Sequence, residues 1–380
     1  GSDDNGFFHW DRQTNQYRHF MPQGKRPFSP TYHNIHALMQ DGDKLYVGMY
    51  MGGLDIIDLK SGAVRNYMPS TSSQSLYATG IYAIYRDLRG EVWIGTTLGL
   101  NRYLPATDNF ERVFMTHLAD ISCITDDARN NLWVCSSNKG LFRLDRTTDR
   151  WYHYSAEEAD AADHGLPTNR IFTASTDEAG ALWLGTDGEG LLCFDYKNQR
   201  FQQVNLGHRV RVIYKIIPYK HKLWLTTNQG LYLYDTDTQQ LSLFNKEDGL
   251  QENAFLPNSG LIQPDGTIFI GGINGFNQFN PDRMVYSAAA SPQVIISNFQ
   301  LFNQPVQVGG ERSPLEQSIT YSDELTLRHE HNIFSLQVAM LSYINPSKNL
   351  YRYRLEGLEK VWTESDAAPH VSYTNLRPGR

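Results

Sequence analysis

The sequence predicts an all-β chain: a seven-bladed β-propeller whose first blade is incomplete, followed by a small Ig/fibronectin-III-like β-sandwich. Three observations carry this reading. A unit recurs as "IYAIYRDLRGEVWIGTTLGLNRYLPATDNF" (81–110), "ISCITDDARNNLWVCSSNKGLFRLDRTTDRW" (121–151) and "IFTASTDEAGALWLGTDGEGLLCFDYKNQRF" (171–201). The aromatic anchors Tyr46, Trp93, Trp133, Trp183, Trp224 and Phe269 follow at gaps of 47, 40, 50, 41 and 45 residues, the period of a four-stranded blade. After "FNPDRMV" the period stops, and alternating strands separated by Asn, Pro, Ser and Gly turns take over.

Within a unit the elements come in a fixed order. An apolar strand runs to an acidic or polar turn such as 87–90, then come the anchor strand, a glycine-containing loop, a third strand ending in an aromatic, a Pro/Thr/Asp turn and a fourth strand. The acids Asp87, Asp126, Asp177 and Asp265 are expected to cap those turns. Helical repeats of similar period need 3.6-residue spacing, which is absent. The opening "GSDDNGFFHWDRQTNQY" matches "GTDGEGLLCFDYKNQRF" (185–201) slot by slot, placing Gly1 two residues past a missing anchor. Residues 1–20 are therefore expected to be the last two strands of a blade whose first two lie upstream. The domains read as 1–287, propeller, and 288–380, a sandwich truncated at its C-terminus.

Composition narrows the function. A net charge of −7 over 380 residues argues against a surface for nucleic acid or anionic membrane, which needs a basic stripe. No apolar run approaches the roughly 20 residues that span a bilayer. Three cysteines are too few for a disulfide scaffold and match no zinc spacing. Cys123 and Cys135 face each other if 121–126 and 132–137 form a hairpin, and are expected to be free, buried thiols. No nucleophile elbow or phosphate-binding glycine loop is present, and His329 and His331 have no evident third ligand. No catalytic residue, metal or cofactor is expected.

The units at 81–103 and 121–145 resemble the regulator-propeller repeats of bacterial hybrid two-component sensors, and "EDGLQENAFLPNSGLIQPDGTIFIGGINGFNQFNPDRM" resembles the terminal blade of such a propeller. The tail "YRYRLEGLEKVW…VSYTNLRPG" is similar to the triple-tyrosine domain that follows it, with Tyr353, Trp362, Tyr373, Asn375, Pro378 and Gly379 in place. The resemblance implies the periplasmic portion of an inner-membrane protein, with two propellers, this sandwich, a membrane helix, a histidine kinase, a receiver and a DNA-binding output domain. It implies detection of glycan-derived oligosaccharides and control of glycan-utilisation genes, by a homodimer. This chain carries one propeller, and no membrane contact or nucleic acid is expected of it.

A ligand is expected at the mouth of the central channel. The residues just before each inner strand are Asn34, Gly80, Asp120, Arg170 and Arg211, with Tyr32, His33, Tyr77, His117, Asn169 and Arg209 around them. The loop between second and third strands adds Tyr50, Thr97, Asn138, Asp187, Glu189, Asn228 and Asn274. Amides, carboxylates, guanidinium groups and aromatic faces suit sugar hydroxyls and pyranose C–H faces, and Arg170, Arg209 and Arg211 suit an acidic sugar. The plain alternative for each is solvated loop surface. Two other functions stand beside sensing: a dimerisation and coupling scaffold, and a propeller glycosidase or lyase using carboxylates such as Asp3, Asp4, Asp120, Asp187 and Glu189.

Overall fold

Short strands that are apolar on both faces must be covered on both faces, and here neighbouring blades do the covering. In the computed structural model the described residues are 1–24, 26–157, 164–207, 210–284, 293–310, 313–341, 349, 351–365 and 368–374. They fall into two compact units, Gly1–Met284 and Val285–Arg380.

The first unit holds seven antiparallel sheets. Blade one is the hairpin Phe7–Asp11 and Gln16–Phe20. Blade two is Ile35–Asp41, Lys44–Met49, Leu54–Asp58 and Val64–Tyr67. Blade three is Ile81–Arg86, Val92–Thr96, Gly99–Leu104 and Asn109–Arg112. Blade four is Ile121–Asp126, Asn131–Ser136, Leu141–Asp145 and Arg150–Tyr154. Blade five is Ile171–Thr176, Leu182–Thr186, Leu191–Asp195 and Arg200–Gln203. Blade six is Lys215–Tyr219, Lys222–Thr226, Leu231–Asp235 and Leu241–Phe244. Blade seven has three strands, Phe255–Ile262, Ile268–Gly272 and Gly275–Phe279. From blade two to blade seven the first strands of successive blades are neighbours, so they line the axis.

The repeated residues are the adhesive between blades. Every anchor lies on a second strand and meets a third-strand side chain of the next blade: Tyr46 on Tyr103, Trp133 on Phe194, Trp183 on Tyr234, Trp224 on Phe279 and Phe269 on Trp10. Trp93 packs in one cluster with Leu144 in the same way. Each buried aromatic removes 150–250 Å² from water. Because Trp10 completes this series against Phe269, the blade-one hairpin occupies the seventh place of the ring.

A second repeated contact sets how closely blades approach. A Cβ on Gly48 would lie 2.6 Å from Ile81 of the next blade, one on Gly95 2.6 Å from Ile121, and one on Gly185 2.8 Å from Ile213. Gly1 stands against Ile35 in the same manner, at 2.8 Å. In blade four the glycine place is taken by Cys135, directly opposite Cys123 in the register expected from the hairpin. Both thiols are free and buried, and burial pushes the Cys135 thiol well above its ordinary value.

The turn acids hold the anchors as well as the turns. Asp87 accepts Trp93 Nε1 at 2.8 Å and the Glu91 N–H, and Asp177 accepts Trp183 Nε1 at 2.7 Å and the Ala181 N–H. In blade four this role belongs to Asp127, which accepts Trp133 Nε1 at 2.7 Å, and the expectation for Asp126 is corrected. Asp127 precedes its tryptophan by six residues, as Asp87 and Asp177 do theirs. Asp126 instead meets the buried guanidinium of Arg146 at 2.7 Å, and Arg146 also pairs with Asp87 across the seam. Asp265 caps its turn through the Thr267 N–H.

In the second unit a four-stranded sheet runs in the order Gln304–Pro305, Val294–Leu301, Ile333–Met340, His370–Thr374, beside a ribbon of Tyr351–Tyr353 and Thr363–Ser365. Phe299, Leu315 and Ile319 form its core. Tyr373 packs on Phe334, and burial together with the nearby Glu359 carboxylate pushes its hydroxyl up to about 12. Arg352 and Arg354 lie 5.1 and 4.9 Å from the Trp362 ring. Asn375, Pro378 and Gly379 lie outside the described residues.

Candidate functional site

The first strands of blades two to five open on Ile followed by a variable residue, Ile35-His36, Ile81-Tyr82, Ile121-Ser122 and Ile171-Phe172, and in blade six the same pair, Ile213-Tyr214, stands just before the first strand. The pairing register skips a residue between Ile35 and Ala37, Ile81 and Ala83, Ile121 and Cys123, and Ile171 and Thr173. A β-bulge re-aims the extra residue. The isoleucine is buried against the neighbouring blade, while His36, Tyr82, Phe172 and Tyr214 keep part of their surface free.

These rings gather at the mouth. The His36 ring is 4.8 Å from Tyr82 and stacks 5.8 Å from Tyr50, while Tyr50 and Tyr82 are 6.3 Å apart. His36 Nε2 lies 3.1 Å from Asp3 Oδ1. Burial raises the Tyr82 hydroxyl, helped by the charges of Asp120 and Asp3. Phe172 and Tyr214 are 5.6 Å apart, and Tyr214 is raised by burial and then by Asp187.

The two predicted loop rings are tied to each other by main-chain bonds. The N–H groups of Tyr50, Thr97, Ser137 and Asp187 donate to the carbonyls of Asn34, Gly80, Asp120 and Arg170 at 3.2, 3.0, 2.9 and 3.0 Å. Tyr50, Thr97 and Asp187 therefore stand in register, while Ser137 and not Asn138 occupies the blade-four place. Asn138 supports the loop from the side, accepting the Asp120 N–H at 2.9 Å. Asn228 is likewise one residue late, exposed beyond Thr227, whose hydroxyl closes the loop onto Gly230. Asp120 accepts from the Ser137 hydroxyl, but burial still raises its carboxyl above the ordinary range.

Several predicted residues serve the scaffold. Arg170 forms an ion pair with Asp187, and Arg211 Nε donates to the Gly188 carbonyl at 2.9 Å. Asn169 accepts the Ala156 N–H at 2.8 Å. Tyr32 stacks on His33 at 4.3 Å, and His33 lies 3.1 Å from Asp4. Tyr77 sits between His117, 5.6 Å away, and the Arg112 guanidinium, 5.1 Å away. Arg209 lies outside the described residues. The residues that sequence reading missed are His36, Tyr82, Phe172 and Tyr214. Their signal was present in the strings "IHA", "IYA", "IFT" and "IYK", where an otherwise apolar strand carries an aromatic or His at its second place.

The channel behind the mouth is occupied by the chain itself. The first strand of blade seven jumps in register from Phe255 to Gly260, so residues 256–259 leave the ladder. Asn258 Nδ2 reaches across to donate to the Ser122 carbonyl at 2.6 Å, with the Tyr82 carbonyl at 3.5 Å. The mouth is thus a shallow cup with a polar floor. Its carboxylates are engaged: Asp3 with His36, Asp120 with Ser137, Asp187 with Arg170, while Glu189 lies 3.2 Å from Gln203 Nε2. Among the described residues no group of three or more His, Cys, Asp or Glu is placed to hold a metal ion, and no helix is long and apolar enough to cross a membrane.

Residues 342–380 match the Y_Y_Y domain family. Over 94% of its length the chain is 25% identical to Histidine kinase P4 of Formosa agariphila, of which it spans 30%. All of it is similar to 51% of the extracellular domain of the putative one component system BT4673 from B. thetaiotaomicron, with a TM-score of 0.60 and 20% identity. It is also similar to PorZ of Porphyromonas gingivalis, with a TM-score of 0.52 and 15% identity over 91% of this chain and 52% of that one. The chain thus spans less than a third of the curated relative and about half of these solved structures. The chain combines propeller repeats with a Y_Y_Y segment, and its architecture resembles that of the extracellular domain of a hybrid two-component system.

Proposed function

We propose that this chain is the ligand-sensing region of a membrane-anchored periplasmic histidine kinase of the hybrid type, and that its propeller mouth binds an oligosaccharide released from a complex glycan. The signal would pass through the Y_Y_Y unit of a homodimer to switch on glycan-utilisation genes. The observation that carries this reading is the cup of His36, Tyr50 and Tyr82 beside Asp3 and Asp120. Aromatic faces take pyranose C–H surfaces while carboxylates and ring nitrogens orient hydroxyls. Binding signals only through its differential affinity for two arrangements of the receptor.

The test is thermal unfolding of the chain against defined oligosaccharides. A ligand at about one hundred times its Kd stabilises by roughly 2.7 kcal/mol, and the Tyr82→Ala variant should lose that stabilisation. A panel without any saturable shift, or a shift that Y82A keeps in full, overturns the mouth as the site. A coupling-scaffold reading draws on one observation, the exposed apolar side chains Leu98 of blade three and Phe114, Met115 and Leu118 of the connection that follows it, Phe114 at 85% exposure. It becomes the better reading if the Phe114→Glu variant abolishes self-association while no sugar binds.

A further inference from the structure

Five blades turn from third to fourth strand on the same device, an Asp whose side chain accepts two following N–H groups. Asp11, Asp58, Asp145, Asp195 and Asp235 all do so. In blades four and five the next residue faces the turn acid of the preceding blade. Tyr196 gives its hydroxyl to Asp127, and Arg146 pairs with Asp87 and Asp126, its side chain only 2% exposed. Arg12 holds the same place in blade one, facing blade seven, where it donates to the Gln263 side chain.

This place lacks the side-chain partner on a turn acid that closes the other two. Arg12 is near enough to lower the Asp265 carboxyl, after the Thr267 N–H and hydroxyl, yet no ion pair joins them, and no described carboxylate lies within ion-pair distance of Arg283 either. Both arginines line a cleft of about 280 Å³ with Asp265, Thr267, Gln278, Asn280 and Phe279. Asn280 spends its side chain on the Asp282 N–H and the Asp265 carbonyl, leaving Gln278 free to bind. The volume sits just under the roughly 300 Å³ at which ligand pockets begin.

From this geometry we infer that the seam between blades seven and one is a second ligand site, distinct from the mouth, that takes the carboxylate of a hexuronic acid between Arg12 and Arg283. Two guanidinium groups stand against the single carboxylate of the cleft, Asp265, which already accepts the Thr267 N–H, and this leaves bidentate donors for a second carboxylate. Gln278 takes ring hydroxyls.

Titrate the chain with glucuronate and galacturonate, with glucose, galactose and acetate as controls, at constant ionic strength, following the melting temperature. The expected result is a saturable upward shift with a uronate, none with the neutral sugars or acetate, and at least a tenfold loss of apparent affinity in Arg283→Gln with its unliganded melting temperature unchanged. Tyr82→Ala should keep the uronate response, which separates this site from the mouth. No shift with either uronate, an equal shift with acetate, or a response kept by R283Q and lost by Y82A each overturns the assignment.

Discussion

The seams that carry Arg146 and Arg12 use the same sequence pattern, "DRTTD" at 145–149 and "DRQTN" at 11–15, and reach opposite outcomes. Arg146 lies between two carboxylates, with side-chain exposures of 2% for Arg146, 0% for Asp87 and 3% for Asp126. Arg12 is exposed and touches an amide. A guanidinium can be taken out of water only when its charge is matched and its donors are used. With both acids present the motif becomes a buried pin between blades. With one acid out of reach it stays open surface, available to a ligand.

The sharpest way to break this comparison is to truncate each arginine in turn. Arg146→Ala strands two buried carboxylates, a loss of about 3–5 kcal/mol. Arg12→Ala removes an exposed contact, at about 1 kcal/mol or less. Urea-unfolding midpoints of the two variants against the parent chain give both numbers. Equal losses would mean that burial is not what separates the seams.

A smaller effect contrasts a seam acid with a mouth acid. Burial pushes the Asp127 carboxyl up, but donation from Trp133, Asn131 and Tyr196 outweighs it, so its folded pKa lies below the ordinary value. Its stabilisation is therefore present above the unfolded pKa, about 3.9, and is lost as pH falls through the folded value. Asp120 is raised by burial, so its ionised form costs stability at neutral pH and the cost is relieved as pH falls through the raised value. Asp127→Asn should cost about 1–3 kcal/mol at pH 7 and flatten the acid limb of the stability curve. Asp120→Asn should raise stability at pH 7 and steepen that limb. Parallel curves for the two variants would refute the opposite shifts.

How much of this was legible depends on whether a feature is local or carried between blades. The anchors Tyr46 to Phe269 show as a period, and Cys123 opposite Cys135 follows from one hairpin. The placement of Gly1 followed from a slot-by-slot match, and the Ile35 contact agrees with it. The mouth was legible only to within one or two residues, because the bulges at His36, Tyr82, Ser122 and Phe172 each add a residue that strict alternation does not foresee. The Arg146 pin joins Asp87, 59 residues earlier, and nothing local to "LDRTTD" announces it. Asp126 and Asp127 are adjacent acids, and only the six-residue spacing to Trp133 tells which one caps the turn.

A further predicted effect concerns Asn258, which links blade seven to the complete blades three and four. Its φ of 57° lies in the left-handed region, and its side chain holds the Ser122 carbonyl at 2.6 Å. Asn258→Ala gives up that bond, worth about 1 kcal/mol, and also forces a Cβ-bearing residue without a local hydrogen bond into that backbone region, about 1 kcal/mol more. Asn258→Gly gives up the bond alone, so the difference between the two variants measures the backbone contribution. If the cup is held ready for its ligand by this tie, N258G should weaken oligosaccharide binding by about fivefold, the equivalent of about 1 kcal/mol, while the protein melts close to the parent temperature. Binding unchanged in N258G would show that the ring of bulged residues holds its shape without the plug, and that blade seven, for all its missing partners, contributes nothing to the mouth.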